Sequence, residues 1–308
     1  MKTGPFDPEH LSQSVFAVPP LARDEDYAID ADENEKIIRH LEGGGVRSLL
    51  YGGNAVLYHA SLADFEDLLG MVADSAGPDT TVVPSIGPSF GIAMDQIEIL
   101  QAFDFPTVML LPSRDIVDSH GIATGIRLLA DRLGKPLVVY LKHDQWLDPA
   151  DIRSLEADGC VSWIKYAVVR ADPAQDEYLK AVLDAFPAAR VVSGIGEQPA
   201  IVHLRDFGIT GFTSGCVCVD PAQSMAMLGA IQARDWEMAE AIRTYFQPLE
   251  YLRDTIHPIR VLHYAVAAAS IAQTGPIQPM LSDVDETTRG RVEEALRTMK
   301  QSLSGSSS

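Results

Sequence analysis

The sequence predicts an α/β protein built as one (β/α)8 TIM barrel followed by a C-terminal three-helix extension. Short apolar runs rich in β-branched residues recur along the 308 residues, and segments with a helical pattern separate them. Apolar strands without polar alternation are typical of a parallel sheet buried on both faces. Eight such alternations match the barrel's count of elements. A doubly wound sheet is the alternative, but no change in composition divides the chain.

The predicted strands are Ser14–Val18, Ser48–Tyr51, Thr81–Ile86, Thr107–Leu111, Leu137–Leu141, Val161–Tyr166, Arg190–Ser193 and Thr210–Ser214. The clearest helical patterns between them cover residues 33–46, 61–77, 121–136, 172–187 and 220–235. Ser61 is placed to cap the second helix. The last two helices open with Asp172-Pro173 and Asp220-Pro221, where aspartate can cap and proline fits the first turn.

The pattern divides the chain into a barrel with an N-terminal segment (1–235), a helical extension packed on the barrel (236–303) and a flexible polar tail (304–308). The extension contains helical patterns near 236–250, 257–272 and 286–301. Prolines such as Pro248 and Pro258 are expected between these segments or at their starts.

Charge limits the choice of partner. The chain has 24 basic and 43 acidic residues, a net charge of −19. Nucleic acid and anionic membrane surfaces are therefore not expected as partners, since both require clustered basic residues. An anionic small-molecule substrate would need a locally positive pocket.

The remaining composition favours a reduced, metal-free protein of the cytoplasm. Cys160, Cys216 and Cys218 have no spacing typical of disulfide frameworks or zinc sites, and the histidines are scattered. No signal peptide and no apolar stretch long enough to cross a membrane is visible. We expect no cofactor and no metal.

Lys165 is the most informative residue for function. In this fold, catalytic residues stand at the C-terminal ends of strands, and Lys165 lies near the end of an otherwise apolar strand. Burial disfavours the ammonium form and frees the amine to attack a ketone as a nucleophile. The alternative is a lysine whose amine extends from the strand end into water.

Other candidates follow neighbouring strands. Tyr140 belongs to the preceding strand, about 4.8 Å away, and is a candidate proton relay or a packing aromatic. Gly53 and Asn54 lie in a turn whose backbone N–H groups suit a carboxylate. Gly194 and Gly196 could cradle a phosphate, but the rest of a dinucleotide motif is missing.

These motifs, in this order, resemble the dihydrodipicolinate synthase and N-acetylneuraminate lyase superfamily over about residues 12–300. Ile164-Lys165 matches the lysine motif of strand six, and Tyr140 matches the tyrosine of strand five. Further matches are Tyr51–Ala55 after strand two, Ser193–Gly196 at strand seven and Gly211–Ser214 at strand eight.

The resemblance implies a class I lyase, aldolase or dehydratase that acts on pyruvate or a larger 2-keto (sugar) acid. Lys165 would form a Schiff base and Tyr140 would relay protons. Gly53 and Asn54 would hold the substrate carboxylate, and Gly194 and Thr213 would line the pocket. It also implies a homotetramer or homodimer.

Departures from the family pattern leave two alternatives open. Gly53 and Asn54 replace two threonines, and Gln145 stands near the position of an arginine. Arg114 is either a substitute cation or a surface arginine in a salt bridge. These changes weigh against a true 4-hydroxy-tetrahydrodipicolinate synthase. The missing hydroxyl relay makes a non-catalytic barrel that binds a keto acid the other alternative.

Overall fold

The computed structural model describes residues 1–305, with side chains described to residue 302, so residues 306–308 of the predicted tail lie outside the described part of the chain. The predicted barrel is confirmed, because eight parallel strands pair in chain order and β8 closes against β1. The strands are β1 Phe16–Ala17, β2 Ser48–Tyr51, β3 Thr81–Ile86, β4 Met109–Leu110, β5 Leu137–Leu141, β6 Val161–Tyr166, β7 Val191–Ser193 and β8 Gly211–Ser214. Each falls within a strand predicted from the sequence.

Helices α2 to α9 alternate with the strands, and α10 to α12 form the predicted extension. The helices are α1 His10–Gln13, α2 Ala31–Gly43, α3 Leu62–Ser75, α4 Phe90–Leu100, α5 Ser119–Leu133, α6 Pro149–Ala157, α7 Glu177–Ala185, α8 Ala200–Asp206, α9 Pro221–Gln232, α10 Trp236–Thr255, α11 Pro258–Ala268 and α12 Glu286–Gly305. In the described part of the chain, no helix is long and apolar enough to span a membrane.

The predicted start of α7 is wrong. The helix begins at Glu177, and Asp176 rather than Asp172 is its cap. The buried Asp176 carboxylate accepts the Leu179 N–H at 3.0 Å and the Tyr166 hydroxyl at 2.6 Å. Because this carboxylate satisfies buried donors from two elements, it sets the helix start in place of the earlier Asp-Pro pair. At α9 the prediction is confirmed, with Asp220 as the cap.

Pro248 lies inside α10 and not between helices as expected. A proline removes one helical hydrogen bond and usually ends or kinks a helix. Here the flanking Phe246 and Leu249 are fully buried, and α10 packs against α9, α11 and α12. Tertiary packing therefore holds the helix through the proline.

Aromatic packing closes the N-terminal end of the barrel. Phe6 stacks on the fully buried Trp163 at 6.3 Å, and Phe16 lies 5.0 Å from the same ring, between centroids. The C-terminal end is open, as expected for a barrel that carries its site there. The last turn of α10 and the start of α11 lie over this end, where Arg253 and His257 line a cavity.

Candidate active site

A cavity of about 400 Å³ lies at the C-terminal ends of the strands. Pockets of this size hold small-molecule ligands. All six residues predicted from the sequence line it: Lys165, Tyr140, Gly53, Asn54, Gly194 and Thr213. The barrel thus brings together positions from five different strands or the turns after them.

Lys165 on β6 is buried without an ionic partner. Its side chain is only 4% exposed, and among the described residues no group hydrogen-bonds to its amine or forms an ion pair with it. Burial, followed by the positive charges of Lys142 and Arg253, lowers the pKa of Lys165 to about 7. A large fraction of this amine is therefore neutral and nucleophilic at physiological pH.

Tyr140 faces Lys165 across the β5–β6 pair. The two residues are register partners, and the Lys165 Nζ lies 4.4 Å from the centre of the Tyr140 ring. Burial raises the pKa of the Tyr140 phenol well above its ordinary value. The hydroxyl therefore keeps its proton, and within the described residues it makes no hydrogen bond. It is therefore available to donate a proton or a hydrogen bond within the cavity.

Gly194, just after β7, makes room for the lysine. A Cβ atom at this position would lie 2.9 Å from Lys165 Cγ and 2.7 Å from Ala167 Cβ. Real Cβ atoms do not approach other atoms so closely, so any side chain here would displace Lys165. Sequence reasoning selected Gly194 only for its backbone, and the structure adds this steric reason.

The turn after β2 presents unused donors. The backbone N–H groups of Gly53 and Asn54 donate to no group in the described part of the chain. The Asn54 side-chain amide donates to the carbonyl of Val18 at 2.7 Å, which fixes the turn to the loop after β1. Successive backbone N–H groups without an internal acceptor are donors that an anion can use. Thr213, on β8, adds a hydroxyl with no hydrogen-bond partner among the described residues.

The arginine that lines the cavity is Arg253 and not Arg114. Arg114, the candidate substitute cation, is exposed and does not line the cavity. Arg253 on α10 lines it instead, 8% exposed, and its Nη1 donates to both oxygens of Glu250 at 3.0 and 3.1 Å. Sequence reasoning missed both residues. Their three-residue spacing on a helix was visible, but not that α10 lies over the barrel mouth.

Glu197 and Glu250 form a buried carboxyl pair beside Arg253. The Glu197 carboxyl accepts the hydroxyls of Ser214 at 2.8 Å and Ser224 at 2.6 Å. Burial, and then the negative charge of Glu250, raise the pKa of Glu197 to about 8. Glu197 is thus largely protonated at neutral pH.

Glu197, Glu250 and Cys216 each place one possible ligand atom within 4.8 Å of the others, a spacing compatible with a metal site. However, Arg253 Nη1 contacts the Cys216 sulfur at 3.8 Å as well as Glu250. The guanidinium is therefore the cation that this cluster holds.

No protein-family model matches this sequence, and no curated protein matches it. Solved structures do match, and they define the fold as that of a (β/α)8 barrel with C-terminal helices. The resemblance stated from sequence motifs is confirmed at this level.

Three of these structures show the extent of the likeness. Dihydrodipicolinate synthase from Bacillus clausii is 21% identical, with a TM-score of 0.84 over 95% of this chain and 99% of that one. A sialic acid aldolase from Ruminococcus gnavus is 14% identical, with a TM-score of 0.83 over 96% and 99%. PhdJ, solved with a bound substrate intermediate, is 18% identical, with a TM-score of 0.82 over 98% and 99%.

Proposed function

We propose that this protein is a Schiff-base-forming lyase that cleaves or forms a bond next to the carbonyl of a 2-keto acid. The observation that carries the proposal is Lys165, a buried amine without an acceptor whose pKa is lowered to about 7, at the mouth of a barrel. Lysines are almost never buried unpaired without a function. The likeness to a synthase, an aldolase and PhdJ supports the same class of enzyme.

The first step joins the lysine to the substrate. The lone pair of Lys165 Nζ attacks the keto carbon, and the carbonyl electrons move to oxygen, which takes up a proton. The amine then loses a proton, the new hydroxyl takes up a second proton and leaves as water, and the nitrogen lone pair forms the C=N bond of an iminium ion. The iminium accepts the electron pair released when the neighbouring carbon loses a proton, or when the C–C bond from that carbon to a hydroxyl-bearing carbon breaks. In the second case the hydroxyl gives its proton to a base and its carbon leaves as an aldehyde. The resulting enamine is protonated or adds to an aldehyde, and water regenerates the lysine.

Tyr140 is proposed to supply and remove the protons. Its ring lies 4.4 Å from the Lys165 amine, burial raises the pKa of its phenol, and its hydroxyl has no hydrogen-bond partner among the described residues. A hydroxyl in this position can donate to the oxygen that leaves as water and recover the proton later. Thr213, whose hydroxyl is also unpartnered, is proposed to contact the substrate from β8.

The substrate carboxylate is proposed to bind at the turn after β2. The free N–H groups of Gly53 and Asn54 point to an anion site that needs no hydroxyl side chain. This arrangement replaces the paired threonines of the family by backbone donors. Backbone donors act at short range, so they can bind the carboxylate of a 2-keto acid although the whole protein has a net charge of −19.

Dihydrodipicolinate synthase activity is the second candidate, favoured by the Bacillus clausii structure. Turnover of pyruvate with aspartate semialdehyde distinguishes it from the other lyase reactions. A non-catalytic barrel is the third, and it predicts keto-acid binding without any covalent adduct.

The test is a panel of 2-keto-3-deoxy sugar acids and related 2-keto acids, with released pyruvate or consumed keto acid as the readout. We expect turnover by the wild type and none by Lys165→Ala. Lys180→Ala is the matched control, because Lys180 is half-exposed on α7 and bonds Glu177. Full activity in Lys165→Ala would refute the proposal.

A further inference from the structure

Arg253 is a buried cation that lines the cavity and has an unused donor. Its Nη1 is occupied by Glu250, and its Nε donates to the carbonyl of Pro258 at 3.3 Å. Its Nη2 makes no hydrogen bond within the described residues. A guanidinium normally uses its planar fork of donors for carboxylate or phosphate groups. This one therefore has binding capacity left at the cavity.

The surrounding chain is shaped to hold this ion pair. A Cβ atom on Gly215 would lie 2.6 Å from Arg253 Nη2, and one on Gly196 would lie 2.7 Å from the Glu250 Oε1. Two backbone segments, after β7 and β8, thus approach the pair more closely than any side chain would allow. Burial of an ion pair is a weak source of stability, since desolvation offsets the attraction. A ligand that binds Arg253 explains better why the Arg253–Glu250 pair is held in this position.

The charge of the cluster allows an anion to approach. The charges of Arg253 and Glu250 cancel, so the net charge of the cluster depends on Glu197. Burial and the charge of Glu250 raise the pKa of Glu197 to about 8. At neutral pH Glu197 is mostly uncharged, so the cluster does not repel an anion. Lys142 lines the same cavity and adds positive charge, while Asp254 adds a carboxyl whose pKa is raised by burial and by Glu250.

We propose that Arg253 binds a second carboxylate of the substrate, so that the preferred substrates are dicarboxylic 2-keto acids. This inference rests on the proposed Schiff-base function. The keto-acid carboxylate lies at the Gly53–Asn54 turn after β2, and the second carboxylate lies at Arg253, next to the end of β8. A cavity of about 400 Å³ between these positions accommodates a short chain. Arg253 is thus a specificity-determining residue supplied by the helical extension.

The experiment compares two probes of similar shape, 2-oxoglutarate and 2-oxopentanoate, which differ in the terminal carboxylate. Each is incubated with the protein at increasing concentration, reduced with borohydride, and the adduct on Lys165 is quantified by mass spectrometry. We expect the half-saturating concentration of 2-oxoglutarate to be at least about tenfold lower in the wild type, as a charge-assisted hydrogen bond implies. In Arg253→Gln the two probes should become equivalent.

Two further variants keep the outcome decisive. Arg253→Gln leaves Glu250 without its partner and can fail to fold, so the double variant R253Q/E250Q, which replaces the pair by two amides, is made beside it. Lys142→Gln removes the exposed cation of the same cavity and should retain most of the preference.

Each result has a distinct meaning. An adduct on Lys165 with no preference for 2-oxoglutarate, or a preference lost in Lys142→Gln and kept without Arg253, overturns the carboxylate site alone. The absence of any adduct with either probe overturns the Schiff-base function and this inference together. A preference present in the wild type and absent without Arg253 supports it.

Discussion

Lys165 and Lys142 line one cavity but differ in their surroundings. Lys142 is exposed, and its amine lies 5.8 Å from the centre of the Tyr58 ring. Lys165 is buried against Tyr140, and nothing in the described part of the chain neutralises its charge. Position on a strand end suggested Lys165 from the sequence, because the fold brings strand ends together. The absence of an acidic partner for Lys165 depends on which side chains surround it in the folded protein, and the sequence alone does not give this.

The lowered pKa predicts the pH dependence of adduct formation. Protonated Lys165 cannot attack, so the rate of borohydride-trapped adduct formation should rise with pH through about 7 and then level off. Between pH 6 and 8 the neutral fraction of such an amine rises about tenfold. A lysine with the ordinary pKa of 10.5 would give a trapping rate that still increases above pH 9. Initial trapping rates across this range decide between them.

Tyr140→Phe should reduce turnover about 10²- to 10⁴-fold, the usual contribution of a positioned proton donor. The ring and its packing against Lys165 remain, so the protein should keep its fold. Tyr178→Phe is the matched control, because its hydroxyl donates to the carbonyl of Leu147 at 2.6 Å, away from the cavity. Equal loss of turnover in both variants would contradict a proton-transfer role for Tyr140.

At the scale of elements, α10 and α11 are part of the site. The sequence predicted both helices as an extension packed on the barrel, and they supply Arg253, Glu250 and His257 to the cavity. This could not be read from the sequence. Periodicity defines which face of a helix is apolar, but the placement of a helix over a barrel mouth depends on long-range packing.

Gly196→Ala tests this arrangement of elements. Gly196 has a φ of +99° and lies against Glu250, whereas Gly208 has a φ of +67° with no atom within 4 Å of its Cβ position. Alanine at either position should lower the free energy of unfolding by about 1–3 kcal/mol through backbone strain. Only Gly196→Ala should also displace Glu250 and weaken the preference for 2-oxoglutarate.

Denaturant unfolding and the trapping assay, applied to both glycine variants, separate the two effects. If Gly208→Ala changes the probe preference as much as Gly196→Ala does, the preference follows general stability and not the position of Glu250.

At the scale of the whole molecule, a chain with a net charge of −19 contains a cavity whose lining includes the cations of Lys142 and Arg253 beside the carboxyls of Glu250 and Asp254. The sequence predicted that an anionic substrate would need a local positive pocket, and these two cations are the candidates for it. Strand bounds were also predictable, since β-branched apolar runs mark them. The start of α7 and the path of α10 through Pro248 were not, because buried contacts override local signals there. The homo-oligomer stays a prediction.

Salt should affect exposed and buried charges differently. In 0.1 M salt the attraction between exposed charges is screened over a distance of about 10 Å, whereas the attraction within buried pairs is screened much less. If Arg253 binds the second carboxylate, the half-saturating concentration of 2-oxoglutarate should change less than about twofold between roughly 20 and 200 mM salt. A several-fold weakening would assign the affinity to exposed cations such as Lys142. Trapping assays at fixed pH measure this.

The most direct test of the central claim is reduction with borohydride after incubation with pyruvate, followed by intact mass and peptide mapping. We expect one reduced adduct per chain, located on Lys165 and absent from Lys165→Met. An adduct that persists in Lys165→Met, or no adduct with pyruvate or larger 2-keto acids, would contradict it.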